Sequence, residues 1–317
     1  MKAAMYHYVR PAFAETAPHG YYHLSFDDFR RQLDHLMETY GIVDREAFVE
    51  WLHSERPQPE GVVLTFDDGL ADHHEWVHPE LRARGLWGVF FVSTEPLSSS
   101  KALSVHRAHA LLGAHGPERV HRTLRDVMEE QAIVVDDSIT DGYDHRVGDD
   151  DASAVKQAVN YELPVDCVSE VLDAIEDRLG SSIDAGSYYA NRTALRALSE
   201  AGHLLGAHTV SHLVLSRLSV ERQRTEIAGS LDAVRDIAPT QPVSLFAYPF
   251  GGRETFSSET IRVLDALGCD AAFTTEPGDL PARTDRRWAT LPRCDCNEFP
   301  HGSATFGFGR LESPADN

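Results

Sequence analysis

Two adjacent carboxylates follow directly on an apolar segment of the sequence. The run from Val62 to Phe66 has the composition of a buried strand, and Asp67-Asp68-Gly69 comes immediately after it. Two carboxylates so close together repel each other, so a bound cation would stabilise the pair. Taken alone, the same residues are also typical of a polar turn in which one Asp caps a helix that begins near Leu70.

Two histidines stand four positions apart after another apolar segment. In the stretch from Gly206 to His212, the spacing of His208 and His212 puts both imidazoles on one face of a helical turn. Two neutral imidazoles and one carboxylate are typical of a catalytic zinc site, because they leave one position for water. In a chain with 17 His, a lone pair at this spacing is also compatible with a surface coincidence.

A third segment ends an apolar strand pattern in a turn. The residues are Tyr248-Pro249-Phe250-Gly251-Gly252. A turn of this kind can aim a backbone N–H at a developing oxyanion, although most such turns only reverse the chain.

The three segments in this order resemble the motifs of the polysaccharide deacetylase family, also called the NodB-homology domain or carbohydrate esterase family 4. The resemblance implies a distorted (β/α)7-type barrel of the α/β class. It also implies a metal-dependent hydrolase that removes an N-acetyl group from an amino-sugar-containing carbohydrate. A looser likeness extends over most of the chain, except for the region between Lys101 and Gly186.

The resemblance assigns roles to individual residues. It implies that Asp68, His208 and His212 bind one divalent metal ion, and that Asp67 is the general base acting on a metal-bound water. The backbone N–H of Phe250 takes the position of the family's oxyanion donor. Zinc is the favoured ion, with cobalt, manganese and nickel as alternatives.

The sequence departs from the family pattern at two positions. The family's third motif commonly carries an Arg two residues before its Pro, where this chain has Ala247. Arg293 is the candidate replacement, since a guanidinium could make a bidentate contact with the Asp67 carboxylate; a surface cation is the alternative. The family's Leu-x-His motif has no clear match, so the general acid stays unassigned. His7, after the first strand pattern, is included as a candidate catalytic residue, and a structural histidine is the alternative.

Two other functions remain open. The first is a metal-dependent hydrolase of a different C–N bond, such as that of a ureide or a cyclic imide. The second is a catalytically decayed barrel that binds carbohydrate without turnover, which would account for the missing Arg and His.

The elements that must position these residues follow from hydrophobic periodicity. Short apolar runs alternate with amphipathic stretches, which predicts a mostly parallel sheet with function at the carboxyl ends of its strands. The runs are 3–9, 61–66, 87–92, 203–207, 243–248 and 271–274, and the amphipathic stretches are 26–40, 75–84, 194–201, 220–237 and 257–267. We predict a single catalytic domain over 1–317, with an insertion at about 101–186 that contains a helix near 117–131 and an acidic loop at 136–151.

The amino-acid composition disfavours some classes of binding partner. The chain has 50 Asp and Glu against 29 Lys and Arg, a net charge of -21, which disfavours nucleic acid and anionic membrane surfaces. Only three of the basic residues are Lys, and we interpret this acidic, Lys-poor surface as halophile-like. No apolar run is long enough for a membrane span and no leader pattern is visible, so we expect a cytoplasmic enzyme. Such an enzyme would meet a free, nucleotide-linked or lipid-linked amino sugar or an oligosaccharide, and the oligomeric state is not predicted.

Overall fold

The computed structural model describes residues 1–11, 22–53, 57–135, 151–281, 288–302 and 305–306. These residues divide into two compact units. Of the described residues, the first unit holds 1–11, 24–100 and 185–302, and the second consists mainly of 101–184.

A seven-stranded parallel sheet forms the centre of the first unit. The described strands are β1 (Lys2–Tyr6), β2 (Val9–Arg10), β3 (Tyr22–Ser25), β4 (Val62–Phe66), β5 (Val89–Val92), β6 (Leu204–Ala207), β7 (Leu245–Ala247), β8 (Ala271–Phe273), β9 (Cys294–Asp295) and β10 (Thr305–Phe306). The sheet has the order β8-β7-β6-β5-β4-β1-β9, and every neighbouring pair in it is parallel. Apart from this sheet, β2 pairs in parallel with β3, and β10 pairs antiparallel with β3. The prediction of a distorted (β/α)7-type barrel is confirmed.

Helices connect the strands, as the alternating pattern predicts. The described α-helices are α1 (Phe26–Thr39), α2 (Arg45–His53), α3 (His78–Ala83), α4 (Ser104–His115), α5 (Pro117–Glu130), α6 (Asp151–Gln157), α7 (Val168–Leu179), α8 (Ala185–Tyr188), α9 (Arg192–Glu200), α10 (Val220–Ile237) and α11 (Ser258–Ala266). Two π-helical segments, His73–Val77 and Ala158–Glu162, extend this set. None of the helices described here is long and apolar enough to cross a membrane.

Helix α1 shows how local sequence produces these elements. The side chain of Ser25 caps its first turn by accepting a hydrogen bond from the backbone N–H of Asp28. Phe29, Leu33 and Leu36 recur at helical spacing and are fully buried. The helix therefore covers the core with one apolar stripe and leaves its polar face to solvent.

The second unit is helical and has its own apolar core. Helices α4, α5, α6 and α7 contribute buried residues to it, among them Leu111, Leu124, Val155 and Val171. The predicted helix near 117–131 is present as α5. Of the predicted acidic loop, 136–150 lies outside the described residues. The organisation as one catalytic domain with an insertion stays a prediction.

Two of the buried histidines of the first unit, His203 and His73, have strongly lowered pKa values. Nδ1 of His203 accepts a hydrogen bond from the backbone N–H of Gly88, and its Nε2 lies 2.9 Å from Nδ1 of His78. Burial lowers the pKa of His203 to about 3. It also lowers the pKa of His73, which packs against Phe90, to about 4. Both side chains are therefore neutral at physiological pH.

The lowered pKa values of His203 and His73 predict that the folded protein becomes less stable as the pH decreases. Below pH 6.5 the unfolded chain protonates both side chains while the folded chain does not, so the free energy of unfolding falls as the pH decreases. Each histidine contributes a slope of up to about 1.4 kcal/mol per pH unit, until its folded-state pKa is reached. We expect His203→Gln to show a shallower decrease than the wild type between pH 6.5 and 4 in urea unfolding. The exposed His53, changed to Gln, is the control and should keep the wild-type slope; equal slopes in all three proteins would contradict the prediction.

Candidate metal centre and its neighbouring carboxylate

The acidic pair lies at the carboxyl end of β4. Asp67 and Asp68 are 1% and 4% exposed, and the backbone N–H of Asp67 continues the sheet by donating to the Tyr6 carbonyl. Asp68 and Gly69 have φ angles of 76° and 68°, so the chain turns sharply after Asp67. This turn makes the two neighbouring carboxylates point to different surroundings.

The histidine pair follows β6 on an unusual loop. His208 extends the strand, because its backbone N–H donates to the Val92 carbonyl at the end of β5. Thr209 and His212 then have φ angles of 61° and 56°, which residues with a Cβ rarely adopt. The side-chain hydroxyl of Thr209 accepts a hydrogen bond from the His212 N–H. The loop is thus a tight local structure, not a regular helical turn.

The carboxylate of Asp68 and the two imidazoles converge. Nε2 of His208 lies 3.4 Å and Nε2 of His212 lies 3.3 Å from Oδ1 of Asp68, and the three donor atoms are all within 4.8 Å of one another. All three residues are buried. Nδ1 of His208 is 2.7 Å from the Ala247 carbonyl, which can only accept, so Nδ1 carries a proton and Nε2 is the ring nitrogen that faces Asp68.

This donor set fits a divalent cation. Ligand atoms about 2.1 Å from a tetrahedral zinc ion lie about 3.4 Å apart, which matches the distances from Asp68 to both imidazoles. Burial alone lowers the pKa of His208, but the Asp68 and Asp67 carboxylates raise it above its ordinary value. A proton therefore competes with a cation for this cluster.

The second carboxylate, Asp67, is paired with Arg293. The guanidinium nitrogens Nη1 and Nη2 each lie 2.7 Å from one carboxylate oxygen, which is the bidentate geometry. Arg293 is fully buried, and its Nε donates to the Thr274 carbonyl at 2.8 Å. Its guanidinium also lies over the Phe91 ring, 5.5 Å from the centroid.

The ion pair with Arg293 keeps the Asp67 carboxyl group ionised. Burial by itself raises the pKa of the Asp67 carboxyl, but the Arg293 guanidinium and the neighbouring histidines outweigh it, so the pKa lies below its ordinary value. Asp67 is therefore ionised at neutral pH although it is buried.

Strand register places His7 on the other side of Asp67. Tyr6 in β1 is the partner of Phe66 in β4, so the residues that follow these strands lie side by side. Nε2 of His7 is 3.8 Å from Oδ2 of Asp67. The His7 side chain is 38% exposed, whereas the Asp67 side chain is 2% exposed. His7 is thus the group beside Asp67 that solvent can reach.

The third predicted segment also reaches the cluster. Phe250 follows β7 with a φ angle of 62°, and its ring centroid lies 5.0 Å from that of His212. Thr275 holds the turn, because its hydroxyl donates to the Phe250 carbonyl and its N–H donates to the Gly251 carbonyl. A Cβ on Gly251 would come within 2.7 Å of the Thr275 nitrogen, so this position requires glycine.

All of the predicted site residues therefore lie in one region of the first unit. The structure brings Asp68, His208 and His212 together, places Arg293 and His7 on Asp67, and places Phe250 beside His212. Sequence reasoning missed the Ala247 carbonyl, which orients His208. It is a main-chain group, so no residue type signals it.

Part of the chain is similar in sequence to known polysaccharide deacetylases. Residues 179–272 match the family model described as polysaccharide deacetylase, a range that includes the histidine loop and the Tyr248 to Gly252 turn. YxkH of Bacillus subtilis strain 168, a protein named as a polysaccharide deacetylase, is 27% identical over 126 residues. That match covers 40% of this chain and 43% of YxkH, less than half the length of either protein.

Solved structures share the fold over almost the whole chain. The deacetylase PplD of Streptococcus pyogenes, solved in complex with acetate, has a TM-score of 0.55 at 17% identity, covering 93% of this chain and 91% of PplD. IcaB from Ammonifex degensii has a TM-score of 0.53 at 15% identity, covering 92% of this chain and 89% of IcaB. At these identities the likeness concerns the fold.

The ion pair between Asp67 and Arg293 predicts strong coupling. Arg293→Met would leave a buried carboxylate without its counter-charge, and we expect it to lower the free energy of unfolding by about 3–5 kcal/mol. Adding Asp67→Asn should restore part of that loss, because no charge is then left unpaired. Urea unfolding of both single variants and the double variant at pH 7 measures this coupling.

Arg262 provides the matched control. It pairs with Glu259 on the exposed face of α11, so Arg262→Met should change the free energy of unfolding by less than about 1 kcal/mol. Additive losses in the Asp67 and Arg293 cycle would contradict the coupling.

Proposed function

We propose that this chain, which matches the polysaccharide deacetylase family model over residues 179–272, is a metal-dependent hydrolase of non-peptide C–N bonds that removes N-acetyl groups from amino sugars. One observation carries the proposal: two adjacent buried carboxylates have different partners. Asp67 is held by Arg293, while Asp68 joins His208 and His212. Amide hydrolysis needs both a base and an electrophilic centre, and this arrangement provides a residue for each.

The electrophilic centre is the proposed metal ion. Asp68, His208 and His212 would hold it, with zinc favoured and cobalt, manganese or nickel as alternatives. When bound, the ion would lower the pKa of a water molecule and polarise the acetyl carbonyl. The protein's own contribution is the bond from His208 to the Ala247 carbonyl, which places the ring proton of the neutral imidazole on Nδ1 and leaves Nε2 to bind the ion.

The proposed base is Asp67. Arg293 keeps this carboxylate ionised, so it is ready to accept a proton from the attacking water. A carboxylate with a lowered pKa is a weak base, which suits a water whose own pKa has been lowered. The backbone N–H of Phe250 is the proposed donor to the oxyanion that forms when water adds to the carbonyl.

The proposed proton donor to the leaving amine is His7. Its imidazole lies beside Asp67 and is partly open to solvent, so a bound substrate can reach it. Breaking the C–N bond leaves an electron pair on nitrogen, and a proton from His7 would convert this group into a neutral amine. The products are acetate and a free amino sugar.

The Arg293–Asp67 contact bears differently on the two alternative functions, the decayed barrel and the hydrolase of another C–N bond. The reading as a decayed carbohydrate-binding barrel rested partly on the absent motif Arg, and the contact of Arg293 with Asp67 removes that part of its support. Hydrolysis of a ureide or cyclic imide would use the same residues. The products distinguish it, since ring opening releases no acetate.

The central prediction concerns Asp67. We expect the metal-loaded protein to release acetate from N-acetylated amino sugars, tested as free sugars, oligosaccharides, and nucleotide-linked and lipid-linked forms. Asp67→Asn should lower kcat by about 10²- to 10⁴-fold, because the proton acceptor is lost. Elemental analysis should find the same metal content in the variant as in the wild type.

Asp27→Asn is the control, since Asp27 is an exposed residue in the first turn of α1. Ring opening of cyclic imides without acetate release from any sugar would favour the alternative substrate class. Sugar binding that is unaffected by Asp67→Asn, with no product at all, would favour the decayed barrel.

The proposed role of His7 predicts a dependence on the leaving group. His7→Gln should lower kcat by about 10²-fold or more on an N-acetyl amide, whose amine must be protonated to leave. An activated aryl acetate expels a stable anion, so the same variant should hydrolyse it at a rate close to that of the wild type. Equal losses on both substrates would contradict the role of proton donor.

A further inference from the structure

The loop that carries the two histidines needs external support. Thr209 and His212 both have left-handed φ angles, 61° and 56°. A residue with a Cβ is strained in this conformation and keeps it only where its surroundings enforce it. Of the six non-glycine residues described with positive φ, four belong to the site: Asp68, Thr209, His212 and Phe250. The backbone shape at the site is therefore imposed by its neighbours.

One face of the loop is held by the segment after β5. The Ser93 hydroxyl donates to the His208 carbonyl at 2.8 Å, and the N–H groups of Thr94 and Glu95 donate to the carbonyls of Thr209 and Val210. These contacts use only the carbonyl oxygens of the loop. The N–H groups of Val210 and Ser211, in the middle of the loop, need acceptors from elsewhere.

Glu226 supplies those acceptors. Its Oε2 accepts from the backbone N–H groups of Val210 at 3.0 Å and Ser211 at 2.8 Å, and its Oε1 accepts from the Ser211 hydroxyl at 2.7 Å. The side chain is buried, so these three hydrogen bonds replace its hydration. Val210 and Ser211 lie between the two histidines, so one carboxylate binds the middle of the segment that joins them.

Glu226 is itself firmly placed. It lies in α10, which begins at a Ser219 cap and continues to Ile237. Gln223, one turn earlier on the same helix, accepts a hydrogen bond from the Thr260 hydroxyl of α11. The carboxylate is therefore attached to a helix that is anchored independently of the loop.

We propose that Glu226 is a positioning residue that sets the affinity of the site for its divalent ion by fixing the spacing of His208 and His212. The inference rests on the proposed function, because it assumes that these histidines bind metal. Without Glu226, the N–H groups of Val210 and Ser211 lose their acceptors and the strained loop relaxes. Binding of the metal ion must then also fix the positions of the two imidazoles, and this lowers the affinity of the site for the ion.

Two substitutions of Glu226 separate its shape from its hydrogen bonds. Glu226→Gln keeps an oxygen for both N–H groups, and its amide can donate to the Ser211 hydroxyl. Glu226→Leu keeps a similar volume and removes all three bonds. Glu221→Leu is the matched control, because Glu221 is an exposed residue of the same helix.

The dissociation constant for zinc is measured by competition with a chromophoric chelator, and urea unfolding of each metal-free protein is measured in parallel. We expect Glu226→Leu to weaken zinc binding by about 10- to 100-fold, Glu226→Gln by only a few fold, and Glu221→Leu not at all. A Glu226→Leu protein that is folded and binds zinc as tightly as the wild type would overturn the inference. So would a loss of stability in the metal-free protein that leaves zinc affinity unchanged, because the role would then be purely structural.

If Glu226→Leu does not fold, Ser211→Ala provides the test. It removes the hydroxyl bond to Oε1 alone and should weaken zinc binding by a few fold; unchanged affinity would contradict the inference. A different result would contradict the proposed function: if the wild-type protein binds no divalent ion, the metal site itself is wrong. Normal zinc binding in both the wild type and Glu226→Leu removes only the role of Glu226.

Discussion

The structure of the site depends on how two neighbouring buried carboxylates are neutralised. Asp67 and Asp68 are consecutive in the chain and almost inaccessible, so they cannot share one solvated environment. The left-handed turn at Asp68 directs the two side chains apart, one to Arg293 and the other to two imidazoles. Asp67 thus has a permanent guanidinium counter-charge, whereas Asp68 faces two imidazoles, so the two neighbouring carboxylates have different electrostatic surroundings.

A parallel sheet makes this arrangement possible with short connections. Parallel strands all end at the same edge, so residues just beyond β1, β4, β6 and β7 meet there although the chain between them is long. His7, Asp67 and His208 each come directly after one of these strands. The β1–β4 register, with Tyr6 opposite Phe66, is enough to set His7 beside Asp67.

Local patterns in the sequence predicted most of the strands, helices and site residues that the structure shows. The range of α10, Val220–Ile237, agrees with its apolar periodicity, and the Asp67-Asp68 pair stands at the predicted strand end. The π-helical turn His73–Val77 was not predicted, because its apolar spacing is close to that of an α-helix. Arg293 was suggested by the missing motif Arg, whereas the Glu226 contact could not be foreseen, since a glutamate on an amphipathic helix is normally a solvated residue. Interactions through main-chain groups leave no trace in residue types.

The placement of Arg293 has a consequence for the order in which the protein matures. Arg293 lies 226 positions after Asp67 and immediately precedes β9, which pairs with β1. During translation the ribosome must therefore add these 226 positions before β1 acquires β9 as a neighbour. Until then Asp67 has no Arg293 guanidinium beside it. This charged pair can therefore form only after synthesis has passed Arg293, and a nascent chain stopped before that residue would lack it.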